Sequence, residues 1–401
     1  LHWMVHSFPT RRSSDLTKSG GTDRLTIDFN ATTSIETGKI LFDFQDQYGQ
    51  GVGGSYYADD GSPLSGSLET WGQRLDGSMV PHWSPDPAKI GVMLPYSSHP
   101  NRHDEFMQTG STGVYTLTAR AGSEKSQIYF GFTNDNRKGI MPGNEMKRNN
   151  LSLKITEKFF KNKLVLDSKI NYIRTDLDNE LSTGGNFENP WRHVYRIPNN
   201  IAIKDLKEFE YTAPDGSVRQ NYWLPGSNGG SNPYWVARRN LTEQFNNRIL
   251  SYASLTYNFT SKLSLMARSA FETSSSYRET RFYNDTYIIA QKGEYRTANL
   301  QDYDWNSDFL LSYNDQIGEH WKYNVNFGGN IRKVNGHAVN TVNNGLSVPN
   351  IFALTNALQP TFSENLSRKE VQSLYVFGQT SYKDMVDRKS TRLNSSHTIQ
   401  S

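Results

Sequence analysis

Alternation of apolar and polar side chains with period two dominates the interior of the chain. Leu25, Ile27, Phe29 and Ala31 fall on one face and Thr26, Asp28 and Asn30 on the other. Tyr115, Leu117 and Ala119 alternate with Thr116, Thr118 and Arg120, and Ile128, Phe130 and Phe132 follow after a polar turn at Gly122 to Lys125. Leu151, Leu153 and Ile155 lead through Lys161 and Asn162 to Leu164, Leu166, Ile170 and Tyr172. Ile249 to Phe259 and Leu263 to Phe271 form a third pair about Thr260 and Ser261. Tyr303 to Tyr313 and Trp321 to Ile331 form a fourth, and a tenth segment runs from about Glu370 to Tyr382. Side chains of a strand point to alternate faces, so each segment predicts a strand with one apolar face.

The segments run for about the ten residues that a tilted strand needs to cross a bilayer. Short turns near residues 122, 160, 261 and 316 alternate with polar stretches at about 36–112, 135–146, 176–244, 275–299 and 335–368, which predict long loops. Tight turns at one rim and long loops at the other characterise outer-membrane barrels. The fold class expected is all-β, an antiparallel transmembrane barrel fragment of about ten strands. Ten strands leave two unpaired edges, which hydrocarbon does not tolerate, so either further strands complete the barrel or the chain is not a membrane protein.

Composition supports this reading. Apolar residues are only 35% of the 401-residue chain, yet it carries 22 Tyr, 20 Phe and 8 Trp. That pairing suits an apolar lipid face with aromatic girdles and a polar lumen. No apolar run is long enough for a membrane helix. With no cysteine, thiolate metal sites and disulfides are excluded. The stretches Ser7 to Leu16 and Arg388 to His397 resemble translated sequencing-adapter sequence, so residues 1–16 and 387–401 are set apart as artefact. Without them the formal net charge of +3 falls to about zero, which removes any case for a nucleic-acid partner.

Candidate catalytic chemistry is sparse. His99 and His103 have metal-like spacing, but Pro100 between them disfavours a helix holding both rings on one face. Gly51-Val52-Gly53-Gly54 lacks the Lys-Ser/Thr of a phosphate loop. Neither Asp59 with Asp60 nor Asp302 with Asp304 has a demonstrated acid/base separation, so no catalytic residue, metal or cofactor is assigned and the chain is not expected to be an enzyme. Sugars and peptides are commonly held on aromatic faces, which makes the loop residues Trp71, Trp83, Trp191, Trp223 and Trp235 candidates for cargo contact; loop anchoring is the competing role.

Short strings in the loops resemble the SusC/RagA family of TonB-dependent outer-membrane transporters. Thr17-Lys18-Ser19-Gly20 resembles the close of its plug domain, and Tyr48-Gly49-Gln50-Gly51, Trp71-Gly72 and Leu75-Asp76-Gly77 its first long external loop. Phe106, Thr109 and Gly110 fit the approach to the second strand, and Gly139-Ile140-Met141-Pro142 the next external turn. Tyr195-Arg196-Ile197-Pro198-Asn199-Asn200 followed by Asn232-Pro233-Tyr234-Trp235 is the most distinctive pair, and Ser373-Leu374-Tyr375 with Tyr382-Lys383-Asp384 resembles a later strand and its periplasmic turn. The resemblance implies residues 17–23 as the end of a plug and residues 24–386 as the N-terminal half of a barrel of roughly 22 strands. It further implies import of oligosaccharides or peptides across the bacterial outer membrane. The expected partners are outer-membrane lipid, a SusD-like surface lipoprotein and the TonB-ExbB-ExbD complex, reached through a region this chain lacks. The competing expectations are a secreted all-β carbohydrate-binding or carbohydrate-active protein and a passive porin or siderophore-type receptor.

Overall fold

The computed structural model describes residues 24–51, 70–180, 182, 184–226 and 229–382, together with the backbone of 386–389 and 393–399. The plug-like string Thr17 to Gly20, Asp59 with Asp60, most of the Gly51 to Gly54 string, and Lys383 with Asp384 lie outside the described residues.

Ten long strands form one antiparallel sheet in which every strand pairs with its neighbour in sequence. They are β1 (Thr26–Glu36), β2 (Gly110–Gly122), β3 (Ser126–Lys138), β4 (Glu145–Phe159), β5 (Leu164–Asp178), β6 (Asn240–Asn258), β7 (Leu263–Thr286), β8 (Ala290–Ile317), β9 (Trp321–Leu346) and β10 (Ala357–Tyr382). Two short strands, Val386–Lys389 and Leu393–Ile399, pair along β10. Among the described residues β1 pairs with β2 alone, so the sheet is open.

Register turns the alternation of single strands into continuous rows. Phe29, Leu117, Phe132, Leu151, Tyr172 and Ile249 stand side by side across β1 to β6. Lower on the same face, Leu166, Leu255, Ala267, Phe309, Gly329 and Leu374 form a second row across β5 to β10. Gly329 is needed there: a Cβ would lie 2.6 Å from Phe309 Cε1 and 2.9 Å from Leu374 Cδ2, so the two neighbours close over a bare backbone. Most of these large apolar side chains are exposed. Ten strands at the usual spacing make this face roughly 45 Å wide, several times the area of the largest apolar patch on an ordinary soluble monomer. A soluble sandwich would bury such a face under a second sheet.

The apolar band covers about the same length on each strand, Tyr303 to Tyr313 on β8 and Trp321 to Ile331 on β9. At a tilt near 45° that length rises by about 26 Å, the height of a barrel's lipid-facing belt. Rings cluster at its ends. Trp321 packs against Tyr382 with centroids 4.9 Å apart at the short-turn rim, and Lys333 lies 5.9 Å from the Trp305 ring towards the other.

Beyond the band the strands continue. Residues 275–299 and 335–368, expected as loops, are mostly strand: β7 and β8 are joined across 287–289, and β9 and β10 across 347–356. The tenth strand accordingly starts at Ala357 rather than near Glu370. Polar residues occupy both faces of these extensions, so they carry no apolar period, yet pairing continues as far as Thr286 opposite Ala290 and Glu294 opposite Asn344. The long outer connections that remain are 37–109 and 179–239.

Candidate functional site

The described residues of these two connections fold together into a cap with its own apolar core. Short helices at Pro190–Val194, Ile203–Leu206 and Pro233–Arg239 supply much of it. The first and third start by the same device, an Asn-Pro step: the side-chain oxygen of Asn189 accepts from Trp191 N at 3.1 Å, and that of Asn232 from Tyr234 N at 2.8 Å. Proline pre-sets the first helical turn and the asparagine satisfies an amide left free there. Trp83, Phe106, Val194, Ile197, Ile201, Tyr222, Trp223 and Tyr234 pack together, and Met141 and Tyr287 join them from the tips of two strand pairs. The cap is therefore fastened to the sheet as well as to itself.

Motifs far apart in sequence meet at its seams. Asn199 donates from Nδ2 to the carbonyls of Gln45 and Tyr48 at 2.7 and 2.8 Å, while Asn200 Oδ1 accepts from Gln50 N at 2.8 Å. Asn232, fully buried, donates to the carbonyls of Leu206 and Asn221 at 3.0 and 2.8 Å. Gly72 has no room for a side chain, since a Cβ would stand 2.0 Å from Gln50 O. These strings thus hold loops to one another.

The five tryptophans divide accordingly. Trp83, Trp223 and Trp235 are buried in the cap, Trp235 at 1% exposure with its Nε1 donating to Thr286 Oγ1 at 2.9 Å. Trp191 is half-buried, stacked on Tyr195 at 5.7 Å. Trp71 is the exposed one, at 56%, and lies 5.9 Å from the exposed Tyr48 on the seam fixed by Asn199. Tyr195 and Phe44 also present ring faces, 6.2 Å apart. Sequence reasoning missed both as surface rings, although Tyr195 opens the Tyr-Arg-Ile-Pro-Asn-Asn string.

Buried polar groups in the cap are held neutral or bonded to backbone. His193 takes the Ser231 amide on Nδ1 at 3.0 Å and reaches the Phe187 carbonyl from Nε2 at 2.9 Å, which fixes one neutral tautomer, and burial lowers its pKa to about 4. His103, buried 4.3 Å from the Phe44 ring, is likewise lowered to about 4 by burial. Arg102 donates to the Ile197 carbonyl at 2.8 Å, and burial lowers its pKa to about 10.

The sheet's other face is wet and charge-paired. Arg268 forks onto Asp308 at 2.9 and 2.7 Å, Arg332 pairs with Asp304, and Arg248 with Glu272. Asparagines bridge strands between them, as in Asn330 to Asn306 and Ser312 to Asn326. Near the short-turn rim a recess of about 370 Å³ is lined by Asp28, Asn30, Thr116, Thr118, Arg120 and Tyr129. Asp304, considered with Asp302 as an acid pair, is engaged by Arg332, which suits a wall better than proton transfer.

No family model matches the sequence, and no curated protein matches it. Solved structures match its fold. The RagAB peptide importer in the closed-closed state superposes with a TM-score of 0.67 at 14% identity, over 95% of this chain and 43% of that one. The open-open state of the same importer gives 0.63 at 13% identity over 95% and 43%, and another structure of the RagAB peptide transporter gives 0.63 at 13% over 92% and 42%. The chain thus spans less than half the length of the chains it matches. With its sequential antiparallel ladder, apolar outer face and polar inner face, it has the fold of a segment of such a β-barrel.

Proposed function

We propose that the chain is the N-terminal half of the barrel of an active importer in the bacterial outer membrane, which carries peptides or oligosaccharides inward. The observation that carries this reading is the row structure: one face offers exposed apolar rings strand after strand, while the opposite face is lined with paired charges and amides. Only a lipid-facing wall around a polar passage gives both faces a matching solvent. The fold likeness to a peptide importer supports a role in nutrient uptake. In this reading a SusD-like surface lipoprotein captures cargo above the cap, and TonB-ExbB-ExbD supplies the work from the inner membrane. The chain contributes passage and wall rather than catalysis. The exposed pair Tyr48 and Trp71, with Trp191 beside Tyr195, is the aromatic surface best placed to touch cargo; Trp83, Trp223 and Trp235 serve the cap.

The test is uptake by cells that carry the complete gene with its neighbouring lipoprotein gene, given labelled peptide and oligosaccharide mixtures. Uptake of one class that stops when the proton-motive force is collapsed is the expected result. Uptake that survives the collapse would mean a passive pore, and recovery of the protein in the soluble fraction would remove the membrane reading altogether.

A further inference from the structure

On the inner wall Arg120 pairs with Asp28 and Arg268 with Asp308, one arginine to one carboxylate, and further up the sheet Arg296 takes two carboxylates, Glu188 and Glu294. Asp135 has the reverse ratio, one carboxylate between two arginines. Its carboxylate takes Nε and Nη2 of Arg137 on its two oxygens, both at 2.9 Å, and also Nη2 of Arg148 at 3.1 Å from the next strand. One fork already satisfies a carboxylate, so the bonded cluster of one carboxylate and two guanidiniums carries a net positive charge. The Asp135 side chain is only 3% exposed, while those of Arg137 and Arg148 remain 52% and 47% exposed. Three hydrogen bonds use a minority of the donors that two guanidiniums carry, and among the described residues the rest have no acceptor. Glu36 on β1 is the other carboxylate whose charge reaches Arg137, and it forms no bond with it among the described residues.

Position gives the surplus charge a use. Asp135 stands three residues beyond Phe132 towards the cap and on the opposite face, so the cluster lies on the inner wall just above the lipid band. Cargo entering from outside passes this level. The buried carboxylate holds both forks in place beforehand, so little side-chain freedom is lost when an anion arrives, and a guanidinium fork matches the two oxygens of a carboxylate.

Resting on the import reading above, we infer that Arg137 and Arg148 form a subsite for a carboxylate carried by the cargo. The group is a peptide C-terminus or the uronic acid of an oligosaccharide.

The experiment uses the complete transporter with its lipoprotein and four fluorescent probes: an oligopeptide and its C-terminal amide, and an oligouronate and its methyl ester. The free acid of one class is expected to bind about tenfold or more tightly than its neutral form, the effect of a charge-assisted bond. Arg148→Gln leaves Asp135 paired with Arg137 and is expected to abolish that preference while the neutral probe binds as before. Arg137→Gln, which leaves Asp135 with Arg148, is an independent second variant in case the first fails to assemble. Equal binding of acid and neutral probes, or a preference that survives in either assembled variant, would overturn the subsite while leaving import intact. Failure of the wild type to bind or import any probe would remove both readings.

Discussion

The amide of Gln50 donates to the side-chain oxygen of Asn200 across 2.8 Å, although 150 residues separate the two. The bond ties the first outer connection to the second. With the neighbouring bonds of Asn199 it explains why an asparagine pair closes the Tyr195 to Asn200 string: each side chain replaces a backbone partner that irregular loops cannot provide for themselves.

Asn232 makes the stronger case for this role. Asn232→Ala removes the helix cap on Tyr234 and leaves the carbonyls of Leu206 and Asn221 without their donor in a buried site. A cost on the order of 3 kcal/mol to cap stability is expected, with the barrel unaffected. Hydrogen exchange in residues 190–240 of the assembled protein measures it; unchanged protection there would count against the cap as a fastened unit.

Trp71 and Trp235 separate cargo contact from packing. Trp235→Ala empties a buried site and loses the bond to Thr286, so it should destabilise the cap by about 3–5 kcal/mol. Trp71→Ala should leave thermal stability within about 0.5 kcal/mol of wild type while weakening cargo binding. Melting curves and cargo titrations of both variants, read together, decide whether the exposed ring is the functional one.

Acid should loosen the cap before it affects the barrel. The unfolded His193 imidazole takes up a proton near pH 6.5, whereas the folded one resists until about pH 4 because burial opposes its charge. Its contribution is therefore complete above pH 6.5 and lost as pH falls towards 4, reaching on the order of 3 kcal/mol. Limited proteolysis between pH 7.5 and 4.5 should show cleavage rising in the cap, and His193→Gln should make the profile shallower from an already less stable start, with the buried His103 carrying the dependence that is left.

The strands of the apolar band were legible in the sequence because a sheet with one apolar and one polar face imposes the alternation that periodicity detects. Leu265, Leu311, Phe327 and Val376 each follow the pattern on their own strand and meet in one row. Beyond the apolar band both faces are polar, and segments such as Ser274 to Ser276 and Asn340 to Asn344 carry no such signal, although cross-strand pairs such as Thr297 with Thr341 continue. Those extensions read as loops. The tryptophans were visible as loop residues, but their roles depend on distant partners: Trp235 is fixed by Thr286, 51 residues on, and Trp71 stays open beside Tyr48. The Asp135 cluster was invisible for a similar reason, since Arg148 arrives from the neighbouring strand through register.

One face of this sheet is expected to meet lipid and the other water. The chain has no cysteine, so single-cysteine spin labels can be placed without background from it. Labels at positions 321 to 337 of β9, in the complete protein in outer-membrane vesicles, would be tested for collision with oxygen, which concentrates in lipid, and with a water-soluble nickel complex. Odd positions such as Val325 and Phe327 should favour oxygen and even positions such as Asn324 and Asn326 should not, with the contrast ending near Lys333 where the strand leaves the bilayer. Uniform access to nickel along both faces would mean that neither face of the sheet meets lipid.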